Sequence, residues 1–114
     1  MNRPHLSPAQ RIGDAIHTSG QLAFDADGEL KGDIAGQTTQ VLNNLAAVLA
    51  VHGLTLADIG KTTVWLRRAE DFAAFNAAYA AAFGEHRPAR STVVAALAVA
   101  EALVEIEAIA RHER

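Results

Sequence analysis

The chain has no cysteine. That excludes disulfides, thiol nucleophiles and zinc sites built on thiolates, and it fits a reducing compartment. Aromatic residues are scarce, at 5%, although 50% of all residues are hydrophobic. Alanine and aliphatic side chains make up the difference, so the core is expected to be closely spaced, with apolar surface to spare for contact between subunits. Positive charge is also short: 10 Lys and Arg stand against 13 Asp and Glu, a net charge of −3 at pH 7. No general attraction for phosphate backbones follows, and no nucleic-acid partner is expected. Charges interrupt every apolar run before it reaches membrane-spanning length, and Met1-Asn2-Arg3-Pro4-His5-Leu6 lacks the apolar stretch of a secretory signal. The expectation is a cytoplasmic protein with no membrane partner. Gly-rich phosphate loops, a Gly-x-Ser-x-Gly elbow and internal repeats are missing, and the 5 histidines show no ligand spacing, so no metal site is expected.

What is present fits one domain over residues 1–114, long enough for a core but with much surface exposed. Ala15-Ile16-His17-Thr18-Ser19 is β-branched and closed by Gly20, which reads as a strand, and Leu22-Ala23-Phe24 is expected to continue its sheet. Asp25-Ala26-Asp27-Gly28-Glu29 has the local acceptors and the glycine of a hairpin turn. From Asp33, a candidate N-cap, to the stop at Gly53, the residues Val41, Leu42, Leu45, Val48 and Leu49 mark one helical face. Thr62-Thr63-Val64-Trp65-Leu66 reads as a buried strand, giving a βαβ-like unit. Phe72, Phe75, Tyr79 and Phe83 form a second helical stripe from Asp71 to Gly84, and Pro88 discourages helix beyond it. Asn76 lies inside that helix despite its low propensity, as either a solvent-facing residue or a polar contact near a pocket. Two strands finish the chain. The fold class is α+β, a mixed sheet with two helices on one face and an opposite face that another subunit could cover.

The last quarter carries the candidate chemistry. In Val104-Glu105-Ile106-Glu107-Ala108-Ile109-Ala110, alternation sets Glu105, Glu107 and Ile109 on one sheet face and the remaining residues on the other. In the preceding strand, Arg90, Thr92 and Val94 share a face, and if the two strands are neighbours an arginine and a carboxylate flank one pocket. A guanidinium grips a carboxylate ligand in a bidentate fashion, and a free carboxylate can orient or deprotonate a water. A structural ion pair, or two solvated glutamates on an open sheet, fits the same spacing. Arg67, Arg68, Glu70, Asp71, Arg87, Arg111, His112, Glu113 and Arg114 read as solvated charges, with Arg67 or Arg68 as alternatives for a subunit interface.

Taken in order, Thr18-Ser19-Gly20-Gln21, Lys61-Thr62-Thr63-Val64, Phe75-Asn76-x-x-Tyr79, Pro88-Ala89-Arg90-Ser91 and Val104 to Ala110 resemble the RidA family, also called YjgF, over Ser7 to Ala110. The resemblance implies a chorismate-mutase-like α+β fold that trimerises around a central barrel, with ligand clefts between neighbouring subunits. It implies hydrolysis of enamines and imines of the 2-aminoacrylate type to 2-keto acids and ammonia, without metal or organic cofactor. Arg90 matches the family arginine that holds the substrate carboxylate, Glu105 matches the glutamate associated with the hydrolytic water, and Ser19 matches a polar pocket residue. Thr92 stands where the family often has cysteine, and Leu6 where it has tyrosine, so the pocket lacks a phenol and a thiol. The usual Leu-Pro turn between the last two strands is replaced by Ala98-Val99. The expected partners are a small carboxylate-bearing imine or keto acid and two further copies of the chain. Arg90, Asn76, Ser19 and Thr92 are the expected binding residues and Arg90 and Glu105 the catalytic ones. Three alternatives stay open: a deaminase of a larger enamine in a catabolic pathway, a non-catalytic trimer that binds small acids, and an endoribonuclease, against which the acidic balance and the lack of a basic stripe argue.

Overall fold

The computed structural model describes residues 4–112; residues 1–3 and the tail charges Glu113 and Arg114 lie outside the described residues. Strands β1 (Ala9–Ile12), β2 (Ala15–Thr18), β3 (Ile59–Leu66), β4 (Ala89–Val94) and β5 (Val104–Ala110) form one sheet in the order β1-β2-β5-β3-β4. Helices α1 (Ile34–Ala50) and α2 (Phe72–Phe83) cover one face of it. β3 and β4 run parallel and all other neighbours antiparallel. The mixed α+β sheet with two helices is therefore as expected.

Local chemistry explains the helix limits. Asp33, in extended conformation, accepts a hydrogen bond from the Gly36 N–H at 2.9 Å, a side-chain N-cap. Gly53, at φ 73°, lets the chain turn away after α1. The α1 stripe buries Ile34, Val41, Leu42, Leu45 and Leu49 against the sheet. From α2, Phe75, Tyr79 and Phe83 enter the same core, and removal of a fully buried ring such as Phe75 should cost about 3–5 kcal/mol.

Three local expectations need correction. β1 was not expected: Ala9-Gln10-Arg11-Ile12 is an exposed edge strand without alternation, so only its pairing with β2 reveals it. Leu22-Ala23-Phe24 is not a strand continuing β2; Phe24 makes only an isolated bridge to Leu30, and Gln21 just before the segment makes one to Ile106. β2 leaves the ladder because the Thr18 hydroxyl accepts from the Ala108 N–H at 3.0 Å, and Asn44 of α1 then donates to the carbonyls of Leu22 and Phe24, both at 2.9 Å. Arg67 is neither solvated nor shown at an interface. Its guanidinium donates to the carbonyls of Ala102 at 2.7 Å, Val99 at 2.8 Å and Leu97 at 3.3 Å, fixing the β4–β5 connection in which the Leu-Pro turn is absent.

Topology corrects the pocket geometry as well. β4 is not beside β5, because β3 lies between them. Arg90 is in register with Thr62, and Thr62 with Ala108, a row whose last two members are buried beneath the helices. Glu105 is in register with Trp65, three residues beyond Thr62 and so on the opposite face. Within one chain Arg90 and Glu105 occupy opposite faces of the sheet.

Candidate active site

One half of the site is built where β4 runs under α2. The spacing Phe72, Phe75, Asn76, Tyr79 brings successive α2 side chains over the strand, and the Arg90 guanidinium lies 5.9 Å, 5.2 Å and 4.9 Å from the ring centres of Phe72, Phe75 and Tyr79. Each separation is within cation–π range. Arg90 Nη2 donates to Asn76 Oδ1 at 2.8 Å, the polar-contact alternative for Asn76. The Tyr79 hydroxyl is 2.7 Å from the buried Thr62 hydroxyl, which pins the ring. Burial pushes the Tyr79 phenol up, while the bond to Thr62 and the charge of Arg90 pull it down, so the ring stays a neutral platform. Thr92, in register with Val64, follows Arg90 on the same face. Among the described residues no carboxylate pairs with Arg90, whereas Arg68 pairs with Asp71 and Arg111 with Asp14.

The other half lies across the sheet. Gln21 and Ile106 exchange backbone hydrogen bonds at 2.8 and 3.1 Å, laying Ser19-Gly20-Gln21 over the start of β5. A Cβ on Gly20 would fall on the Glu105 carboxylate, so with glycine here the acid sits directly against the backbone, and a larger residue would make its side chain shift. Ser19 donates its hydroxyl to the Ser7 carbonyl at 2.6 Å, tying the amino-terminal segment to this corner. Loss of hydration raises the Glu105 pKa, and the neighbouring Glu107 raises it further.

The expected site residues thus fall into two groups: Arg90, Asn76 and Thr92 at the α2 edge, and Ser19 and Glu105 on the open face. The aromatic cradle and Gly20 had not been assigned to the site. The signal for the cradle was the spacing Phe72, Asn76, Tyr79, Phe83, which sets the asparagine on the aromatic face of its helix rather than toward solvent. What the arrangement offers chemically is an uncompensated cation for an anionic ligand and, on another face, a carboxylate that holds its proton more tightly than usual.

An α+β chain with this sheet order has a fold already solved several times. The YjgF gene product of Escherichia coli superposes with a TM-score of 0.88 at 40% identity, covering 95% of this chain and 88% of that one. A family model described as Endoribonuclease L-PSP matches residues 2–112, and the chain belongs to that family, the YjgF/RidA group. A RutC family protein of Pyrococcus horikoshii is 44% identical over 109 residues, 94% of this chain and 86% of that protein. The 2-iminobutanoate/2-iminopropanoate deaminase of Escherichia coli K12 is 44% identical over 103 residues, 87% of this chain and 80% of that enzyme.

Proposed function

We propose that the protein is a cofactor-independent deaminase that hydrolyses 2-imino and 2-enamino acids of the 2-aminoacrylate type to 2-keto acids and ammonia, in clefts between the subunits of a homotrimer. The observation that carries this reading is Arg90, a guanidinium held over three rings with no acidic partner among the described residues. Such a group suits a carboxylate presented on a short ligand. The family membership and the 44%-identical deaminase support the same chemistry.

In this reading Arg90 binds the carboxylate, and water held by Glu105 and nearby backbone groups adds to the C=N carbon. Glu105 accepts a proton from the water as the C–O bond forms and passes it to the imine nitrogen, giving a carbinolamine with a hydroxyl and an NH2 group. In the collapse the hydroxyl proton moves through Glu105 to that nitrogen as the C–N bond breaks and the C=O bond forms, so ammonia and the 2-keto acid leave and Glu105 is ionised again; a 2-enamino acid first gains a proton on its terminal carbon and loses one from nitrogen to reach the imine. Arginine takes no part as a base, since a guanidinium does not deprotonate in proteins. The family description names an endoribonuclease, but the net charge of −3 favours a small acid over a polyanion as the ligand.

The test is keto-acid release from 2-iminobutanoate generated in situ. Arg90→Ala should lose about a hundredfold or more in kcat/KM, the consequence of removing a charged anchor worth a few kcal/mol. Glu105→Gln should lose kcat. Full turnover by Arg90→Ala would sink the site assignment, and saturable binding without product in the wild type would leave a binding protein in place of an enzyme.

A further inference from the structure

We infer that Asn76 is a positioning residue that sets the plane of Arg90 while leaving its positive charge uncompensated for a ligand. The inference rests on the reading of Arg90 as the carboxylate anchor. Stacking on Phe72, Phe75 and Tyr79 fixes the height and tilt of the guanidinium, but rings do not stop it rotating in its own plane. The bond from Nη2 to Asn76 Oδ1, at 2.8 Å, does. It occupies one N–H and leaves the rest of the fork for a ligand. Asparagine is also a poorer helix former than alanine, and α2 is otherwise alanine and aromatic residues, Phe72-Ala73-Ala74-Phe75-Asn76-Ala77-Ala78-Tyr79-Ala80-Ala81-Ala82-Phe83, so the bond to Arg90 is what offsets its presence there.

The acceptor must also be neutral. Where this chain neutralises an arginine it uses a carboxylate: Arg68 makes two contacts of 3.4 Å to Asp71. A carboxylate at position 76 would have the shape of the amide and would keep the bond to Nη2, but it would compete with the ligand for the same cation. Aspartate and alanine at this position therefore separate structural support from ligand binding, because the two roles order the variants oppositely.

Asn76→Asp and Asn76→Ala are compared with wild type in steady-state turnover of 2-iminobutanoate and in thermal unfolding. The anchor acts on bound substrate and transition state alike, so the expected change is in KM with kcat nearly kept: a rise of about fivefold for Asn76→Ala and about thirtyfold for Asn76→Asp. Thermal stability should run the other way, with Asn76→Asp at or above wild type and Asn76→Ala below it. If Asn76 only supports the fold, Asn76→Asp matches wild type in KM and Asn76→Ala is worse in both measurements, which overturns the inference. Should Asn76→Asp fail to fold, an unchanged KM in Asn76→Ala overturns it equally. Arg90→Ala is run alongside. Undiminished turnover there removes the anchor reading itself, whereas impaired Arg90→Ala with wild-type KM in Asn76→Asp removes only the positioning role.

Discussion

At the scale of single residues, Glu105 is tuned by its surroundings. Its carboxyl is raised above the ordinary glutamate range first by lost hydration beneath Gly20 and then by Glu107, which shares its face of β5. A raised carboxyl keeps its proton to higher pH, and only the ionised form can take a proton from water. The acidic limb of kcat/KM should therefore lie above the ordinary glutamate value. Glu107→Gln removes the second cause and keeps the first, so that limb should move to lower pH, as a pH–rate profile would show; a limb that stays put would mean that Glu105 is not the base. The same shift has a stability consequence of defined sign. The contribution of Glu105 is fully present below the ordinary glutamate pKa and is lost as pH rises through the raised folded value.

At the scale of elements, the β4–β5 connection shows how an irregular segment is fixed. Ala98-Val99 and their neighbours are held from two sides. Arg67 donates to three carbonyls of the connection, and Gln37 of α1 donates to the Glu101 carbonyl at 3.2 Å while accepting from the Leu103 N–H at 2.8 Å. Arg67→Ala should lower stability by about 2 kcal/mol, the scale of hydrogen bonds made by a charged donor, with faster amide exchange over residues 97–103; urea unfolding and hydrogen exchange measure both. Elements of this molecule were legible in proportion to how local their causes are. Both helices carry their own periodicity and stops, so α1 between Asp33 and Gly53 could be read directly. Edge strand β1 has no pattern of its own. The placing of β5 between β2 and β3 is fixed by packing far along the chain, which is why alternation gave the right face within each terminal strand but left open which strands meet. Asn76 was ambiguous because its partner arrives on β4, fourteen residues later.

At the scale of the whole molecule, the separation of the two half-sites decides how a cleft can be assembled. Arg90 faces α2 and Glu105 faces the open side of the same sheet, so one chain cannot direct both at one small substrate. A cleft that uses both must draw them from different copies. The open face offers material for such contact, with Ile109 37% exposed in the middle of the sheet and Val93 44% exposed on β4. In a cyclic trimer with Arg90 from one subunit and Glu105 from the next, every cleft of an Arg90→Ala trimer lacks the arginine, and every cleft of a Glu105→Ala trimer lacks the acid. Mixed trimers differ. Where a Glu105→Ala subunit supplies Arg90 and an Arg90→Ala subunit supplies Glu105, the cleft is intact, and random assembly from equal amounts makes roughly one cleft in four of this kind. Co-refolding the two inactive variants should thus restore about a quarter of wild-type keto-acid release per cleft, while mixing them already assembled should restore little until subunits exchange. Sedimentation would establish the trimer in the same samples. No recovery after co-refolding, with trimers formed, would place both residues in one subunit's site and overturn the shared cleft.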